Sequence, residues 1–192
     1  METVQGLKRT KYCGEFRAAD IGSEATVFGW VQKVRNLGGL LFIDLRDRTG
    51  ILQCTFDESI DKALFDKAFP VRGEYVLAVR GKIRPRGEGA VNDRMPTGAV
   101  ELLANELRIL NTAKTPPFEI VENSNVNEEL RLKYRYLDLR RPDLAKNILL
   151  RSRTYKSVRD YFAAEGFIEI ETPVLMKSTP EGARDYLVPS RV

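Results

Sequence analysis

Residues 25–56 decide the fold. Ala25-Thr26-Val27-Phe28-Gly29-Trp30-Val31 is followed by a turn at Asn36-Leu37-Gly38-Gly39. Leu40-Leu41-Phe42-Ile43-Asp44-Leu45-Arg46, a second turn at Arg48-Thr49-Gly50, and Ile51-Leu52-Gln53-Cys54-Thr55-Phe56 complete the stretch. Runs rich in β-branched and aromatic residues, bounded by Gly- and Asn-containing turns, predict three consecutive strands. Beyond them Ile60, Leu64 and Ala68 stand at i, i+4 and i+8, which predicts a short helix over 60–69. Tyr75 to Val79 and Val100 to Leu110 supply two more strands around a Gly- and Pro-rich loop from Gly81 to Gly98. Three strands, a helix and two strands predict a mainly β chain with a five-stranded Greek-key barrel, the OB-fold, which commonly binds oligonucleotides. An SH3-like barrel or a small sandwich fits the same pattern.

The composition changes after Leu110, so residues 1–112 are expected to form the barrel domain and residues 113–141 a linker or hinge. Thr115-Pro116-Pro117 through Asn127 carries the linker signal. Residues 142–192 are expected to form a helix–strand segment. Leu144, Ile148, Tyr155, Val158 and Phe162 share one helical stripe, with Pro142 in the first turn and Gly166 at the C-terminal cap. Phe167-Ile168-Glu169-Ile170-Glu171-Thr172 alternates as a half-buried strand ended by Pro173.

Composition narrows the chemistry. The 192 residues contain no histidine, which removes Ser-His-Asp and Cys-His catalysis and histidine-ligated zinc. Cys13 and Cys54 stand far apart, so neither a four-cysteine metal site nor a disulfide framework is expected. No Walker A sequence occurs, and Gly87-Glu88-Gly89 is too short to cradle a phosphate. The N-terminus meets Lys8 and Arg9 before any apolar run, and no stretch has the length of a membrane span. A cytoplasmic protein with reduced thiols is the expectation. The net charge of +4 is unevenly spread. Residues 1–130 hold 18 Lys and Arg against 19 Asp and Glu, residues 131–160 hold 10 against 3, and residues 161–192 hold 3 against 5. The resulting island of +7 suits a phosphate backbone, although a solvated cationic helix face gives the same count.

Strand parity picks the candidate binding residues. Leu41, Ile43 and Leu45 point one way, and Phe42, Asp44 and Arg46 the other. With the aliphatic set in the core, Phe42 is displayed outward as a platform for an unstacked base; burial beneath a neighbouring loop is the competing placement. Leu52, Cys54 and Phe56 are core by the same rule, which turns Gln53 outward, where its amide can read a base edge. Arg35 brings a cation for phosphate or stacking. Ordinary surface roles for Gln53 and Arg35 fit the same positions.

The blocks Arg9-Thr10-Lys11-Tyr12-Cys13-Gly14, Gly29-Trp30-Val31 with Phe42-Ile43-Asp44-Leu45-Arg46-Asp47, Leu130-Arg131-Leu132-Lys133-Tyr134-Arg135-Tyr136-Leu137-Asp138-Leu139-Arg140-Arg141-Pro142 and Thr179-Pro180-Glu181-Gly182-Ala183-Arg184-Asp185-Tyr186 together resemble the bacterial-type aspartyl-tRNA synthetases, class II enzymes. The resemblance runs end to end. It implies an OB-fold anticodon-binding domain over about 1–112, in which Arg35, Phe42 and Gln53 contact anticodon bases and Phe42 stacks on one of them. It further implies that the basic segment is an interdomain hinge touching the tRNA backbone. The helix and the strand ending at Pro173 match motif 1, the homodimer interface of the class, at the start of its α+β catalytic domain. Glu181 matches a loop residue that meets the ammonium group of bound aspartate. Leu37 stands where relatives that also charge asparagine tRNA often carry histidine, which implies restriction to aspartate tRNA.

Motifs 2 and 3 of the class, which grip ATP and the acceptor end, have no counterpart in this sequence. The resemblance therefore implies an N-terminal portion whose parent enzyme activates L-aspartate with ATP and Mg²⁺ and transfers it to tRNA(Asp). No catalytic residue, metal site or bound cofactor is expected within these residues. A stand-alone OB-fold nucleic-acid-binding protein derived from a synthetase is the alternative.

Overall fold

The computed structural model describes residues 1–87, 89–177, 188 and 189. It divides into two compact units, Met1–Phe118 and Glu119–Val192. The first is a closed five-stranded barrel with strand order β1-β2-β3-β5-β4. Its strands are β1 (Glu24–Asn36), β2 (Leu40–Arg46), β3 (Ile51–Asp57), β4 (Val76–Pro85) and β5 (Val100–Asn111), and helix α1 (Lys62–Ala68) lies between β3 and β4.

Closure depends on β1 serving two partners. Its first half pairs with β4, Glu24 to Lys82 through Trp30 to Val76, and its second half pairs with β2, Trp30 to Arg46 through Asn36 to Leu41. A register shift between Val31 and Lys33 bends the strand from one partner to the other, as bulges do in barrels. The ring closes where β3 runs parallel to β5 at Cys54–Leu102 and Thr55–Leu103. Inside, Val27 and Val31 of β1 are buried with Leu41, Ile43, Leu45, Leu52, Cys54 and Phe56, the core set expected of β2 and β3. Phe65 and Ala68 of α1 join the same core, and Asp61 caps that helix by accepting from the Leu64 amide at 2.9 Å.

Strand β4 continues through Gly81 to Pro85, where the sequence predicted a loop. Gly81 marks a close approach: a Cβ there would lie 2.0 Å from the Leu103 carbonyl oxygen, so only glycine lets β4 and β5 stay paired.

The second unit contains α2 (Glu128–Lys133), α3 (Arg135–Asp138) and α4 (Pro142–Ala164). The two short helices lie in the stretch read as hinge. Asp138, fully buried, ties them together. Its carboxylate accepts from Arg131 at 3.0 Å, from Arg135 at 2.6 Å and from the buried Arg141 at 3.1 Å. Burial opposes ionisation of Asp138, but these three guanidinium groups outweigh it and hold its carboxyl below the usual range. Helix α4 begins at Pro142 and ends before Gly166, whose φ of 83° is the left-handed geometry that glycine adopts freely. Along its stripe Ile148, Tyr155, Val158 and Phe162 are 47–56 % exposed. Residues 167–172 form no strand, contrary to their alternation, because no described segment offers them a ladder of backbone partners.

Candidate nucleic-acid interface

The outer face of the β1–β2–β3 sheet gathers the residues singled out by parity. Phe42 is half-buried on that face, opposite Arg35 in the β1–β2 register and opposite Thr55 in the β2–β3 register. The Arg35 guanidinium carbon lies 5.8 Å from the Phe42 ring centroid, within cation–π range. The same guanidinium donates to Asp44 at 2.8 Å and to the amide oxygen of Gln53 at 3.0 Å. Arg35, Phe42 and Gln53 therefore form one cluster although they come from three strands.

Gln53 faces away from the core, as its parity requires, but it is not open to solvent. It is only 5 % exposed, because its neighbours cover it. Its amide nitrogen donates to Glu101 at 2.6 Å, and Thr55 donates to the same carboxylate oxygen at 2.8 Å. The other Glu101 oxygen accepts from Arg84 at 2.7 Å. Donor and acceptor on opposite sides fix which way the amide points. Reading a base with Gln53 then means exchanging one of these partners for the base.

Glu101 and Arg84 were not singled out in the sequence. The available signal was a carboxylate between the core positions Val100 and Leu102 of β5, which alternation turns to the same outer face as Gln53. Arg86 is a further missed neighbour: nearly buried, it donates to the Val100 carbonyl at 3.1 Å. Its burial lowers its pKa against the fields of Asp44 and Glu101.

The remaining candidates lie elsewhere. Leu37 sits in the β1–β2 turn, 67 % exposed, where Gly38 and Gly39 both take positive φ. Pro173 is exposed and belongs to no regular element. Glu181 lies outside the described residues. The cluster has the chemistry to bind a planar, polar group: an aromatic face, a fixed cation and an amide with both donor and acceptor atoms. It offers no nucleophile, and among the described residues no group of three His, Cys, Asp or Glu side chains is placed to hold a metal ion.

Comparisons with known proteins fit this geometry. Residues 25–110 match the model of the OB-fold nucleic acid binding domain, and residues 127–192 match that of the class II tRNA synthetases (D, K and N). The chain is 58 % identical over 191 residues to the aspartate–tRNA ligase of Ruminiclostridium cellulolyticum, covering all of this chain and 32 % of that protein. It is 60 % identical over 187 residues to the aspartate–tRNA(Asp/Asn) ligase of Symbiobacterium thermophilum, covering 97 % and 32 %. The aspartyl-tRNA synthetase of Entamoeba histolytica shares the fold, with a TM-score of 0.79 at 22 % identity over 90 % of this chain and 40 % of that one. The chain spans about one third of the length of the relatives it matches in sequence. Over that third, it belongs to the aspartate–tRNA ligase family of class II synthetases.

Proposed function

We propose that the barrel is the anticodon-recognition domain of an aspartate–tRNA ligase, and that Phe42 takes one splayed anticodon base of tRNA(Asp) on its ring. Arg35 lies beside that base as the cation, and Gln53 reads an edge once it releases Glu101 or Arg35. The observation that carries this reading is the Arg35–Phe42–Gln53 cluster on the outer face of the sheet. An aromatic face accepts any base by stacking, while an amide and a guanidinium supply the directional contacts that discriminate between bases.

The activity served by this recognition is the ATP-dependent joining of L-aspartate to tRNA(Asp). Mg²⁺ is the expected metal of that activation step. The described residues do not supply a donor set for it, so no catalytic step is derived from them. Glu181 is the residue proposed to meet the aspartate ammonium group. The α4 stripe and Pro173 are proposed to lie in a homodimer interface, Leu37 to favour aspartate over asparagine tRNA, and the protein to work in the cytoplasm.

Titration of an aspartate anticodon stem-loop RNA into the protein, followed by fluorescence anisotropy, tests the reading. It predicts saturable binding that weakens when an anticodon base is changed. Equal binding to any hairpin of the same length contradicts it.

A further inference from the structure

A second cationic cluster lies where the N-terminal segment and the β2–β3 turn meet the half of β1 that pairs with β4. The Arg9 guanidinium carbon sits 4.6 Å from the Tyr12 ring centroid and 5.1 Å from that of Phe28, and Arg48 sits 4.4 Å from Tyr12. They border an open cleft of about 290 Å³ whose wall includes Gly29, Trp30 and Val76.

The arginines of the barrel surface are not treated alike. Arg35 is paired with Asp44, and Arg46 donates to both oxygens of Glu74 at 3.1 and 3.0 Å. Arg9 and Arg48, both exposed, meet no carboxylate within ion-pair reach among the described residues. Asp47 also lines the cleft, yet its oxygens are occupied: one accepts the Cys13 amide at 2.6 Å, the other the Thr49 amide at 2.8 Å and hydroxyl at 2.7 Å.

Those bonds also fix the cluster in place. They tie the N-terminal segment to the β2–β3 turn, and Gly14 approaches so closely that a Cβ would lie 2.2 Å from the Thr49 carbonyl oxygen. Thr10 and Thr26 exchange two further bonds at 2.9 and 3.0 Å, which hold Arg9 against β1. A guanidinium stacked on a ring keeps its N–H edges free in the ring plane. Two such groups outnumber the single carboxylate of the cleft, Asp47, whose oxygens are taken up by Cys13 and Thr49, and they suit an anion with several acceptor oxygens.

We propose that Arg9 and Arg48 clasp a phosphodiester of the RNA backbone, with the adjoining ribose on the Trp30–Val76 wall. This rests on the anticodon reading above. Phe28 precedes Arg35 by seven residues of β1, at most about 23 Å at about 3.3 Å per residue and less across the bend between Val31 and Lys33. The clasp therefore lies several nucleotides away from the base held by Phe42. The contact is to the backbone and carries no sequence information.

The test compares the wild-type protein, the double variant Arg9→Gln/Arg48→Gln, Arg48→Lys and Phe42→Ala. Each is titrated with a long-stemmed anticodon hairpin and with an anticodon-changed hairpin at several salt concentrations. The double variant is expected to lose about tenfold in affinity for both RNAs. Its slope of log affinity against log salt should become shallower by about 1, while Arg48→Lys, which keeps the charge, retains the slope. Unchanged affinity and slope in the double variant, with Phe42→Ala still weakened, overturn the proposal and leave the anticodon reading standing. So does a slope that falls as far in Arg48→Lys. If the wild-type protein binds neither hairpin, both readings fall.

Discussion

Arg35 of β1 donates to the amide oxygen of Gln53 of β3 at 3.0 Å, across the intervening strand β2, and Phe42 of β2 lies under the same guanidinium. Three strands thus present a stacking face and a polar edge as one preset unit, with Glu101 holding the far side of the amide. Recognition by this unit divides into a stacking contribution from the ring and a directional one from the groups behind it.

Replacing Phe42 with alanine removes the ring without touching the aliphatic core on the opposite face of β2. Affinity for the anticodon hairpin is expected to fall by about 1–3 kcal/mol. Thermal unfolding followed by circular dichroism should change little. A variant that binds as well as the parent would show that the ring is not part of the site.

Glu101→Ala acts on stability. Arg84 can turn to water, but the Gln53 amide and the Thr55 hydroxyl lose their common acceptor inside a covered site. The expected cost is about 1–3 kcal/mol in denaturant unfolding of the barrel, with a smaller cost for Glu101→Gln, which keeps an acceptor oxygen. Equal stability of Glu101→Ala and wild type would mean that water replaces the carboxylate.

Asp138→Ala removes one of the two carboxylates that meet Arg141, the one of its three cationic partners that is itself buried. Loss of about 1–3 kcal/mol is expected in the unit that begins at Glu119, because a buried donor loses its acceptor while Asp143, 2.6 Å from the same guanidinium, still balances the charge. The pH dependence follows from the same carboxyl. Its folded pKa is lowered, so its stabilisation is fully present above the ordinary aspartate value of about 3.9 and is lost as pH falls through the lower folded value. Hydrogen-exchange protection over α2 and α3, relative to the intrinsic rate at each pH, should therefore fall in acid below about pH 4 in the wild type, and not further in Asp138→Asn.

Both cysteines are buried, and burial raises both thiols well above the ordinary range, with Asp47 adding to the effect at Cys13. The native protein is expected to resist a thiol reagent at pH 8, and both groups should titrate once guanidinium unfolds it. Rapid labelling of either cysteine in the folded protein would contradict the packing described.

Much of the barrel was legible because its core strands alternate cleanly. Leu41, Ile43 and Leu45 on one face of β2 fixed Phe42 on the other without any tertiary knowledge. Gly81 was misleading for a physical reason: glycine marks turns and close strand approaches alike, and only the Leu103 carbonyl at the site distinguishes them. Parity gave the direction of Gln53 but not its cover, since that depends on Glu101 arriving from 48 residues away. The alternation over 167–172 is a local pattern, and a strand also needs a neighbour with which to exchange hydrogen bonds.

The central claim is that the Phe42 ring stacks on one anticodon base, and a thermodynamic cycle addresses it directly. Affinities are measured for wild type and Phe42→Ala against the aspartate anticodon hairpin and against the same hairpin made abasic at one anticodon position at a time. At one position the losses should be strongly non-additive, with Phe42→Ala costing little once the base is gone. Full additivity at every anticodon position would contradict the account.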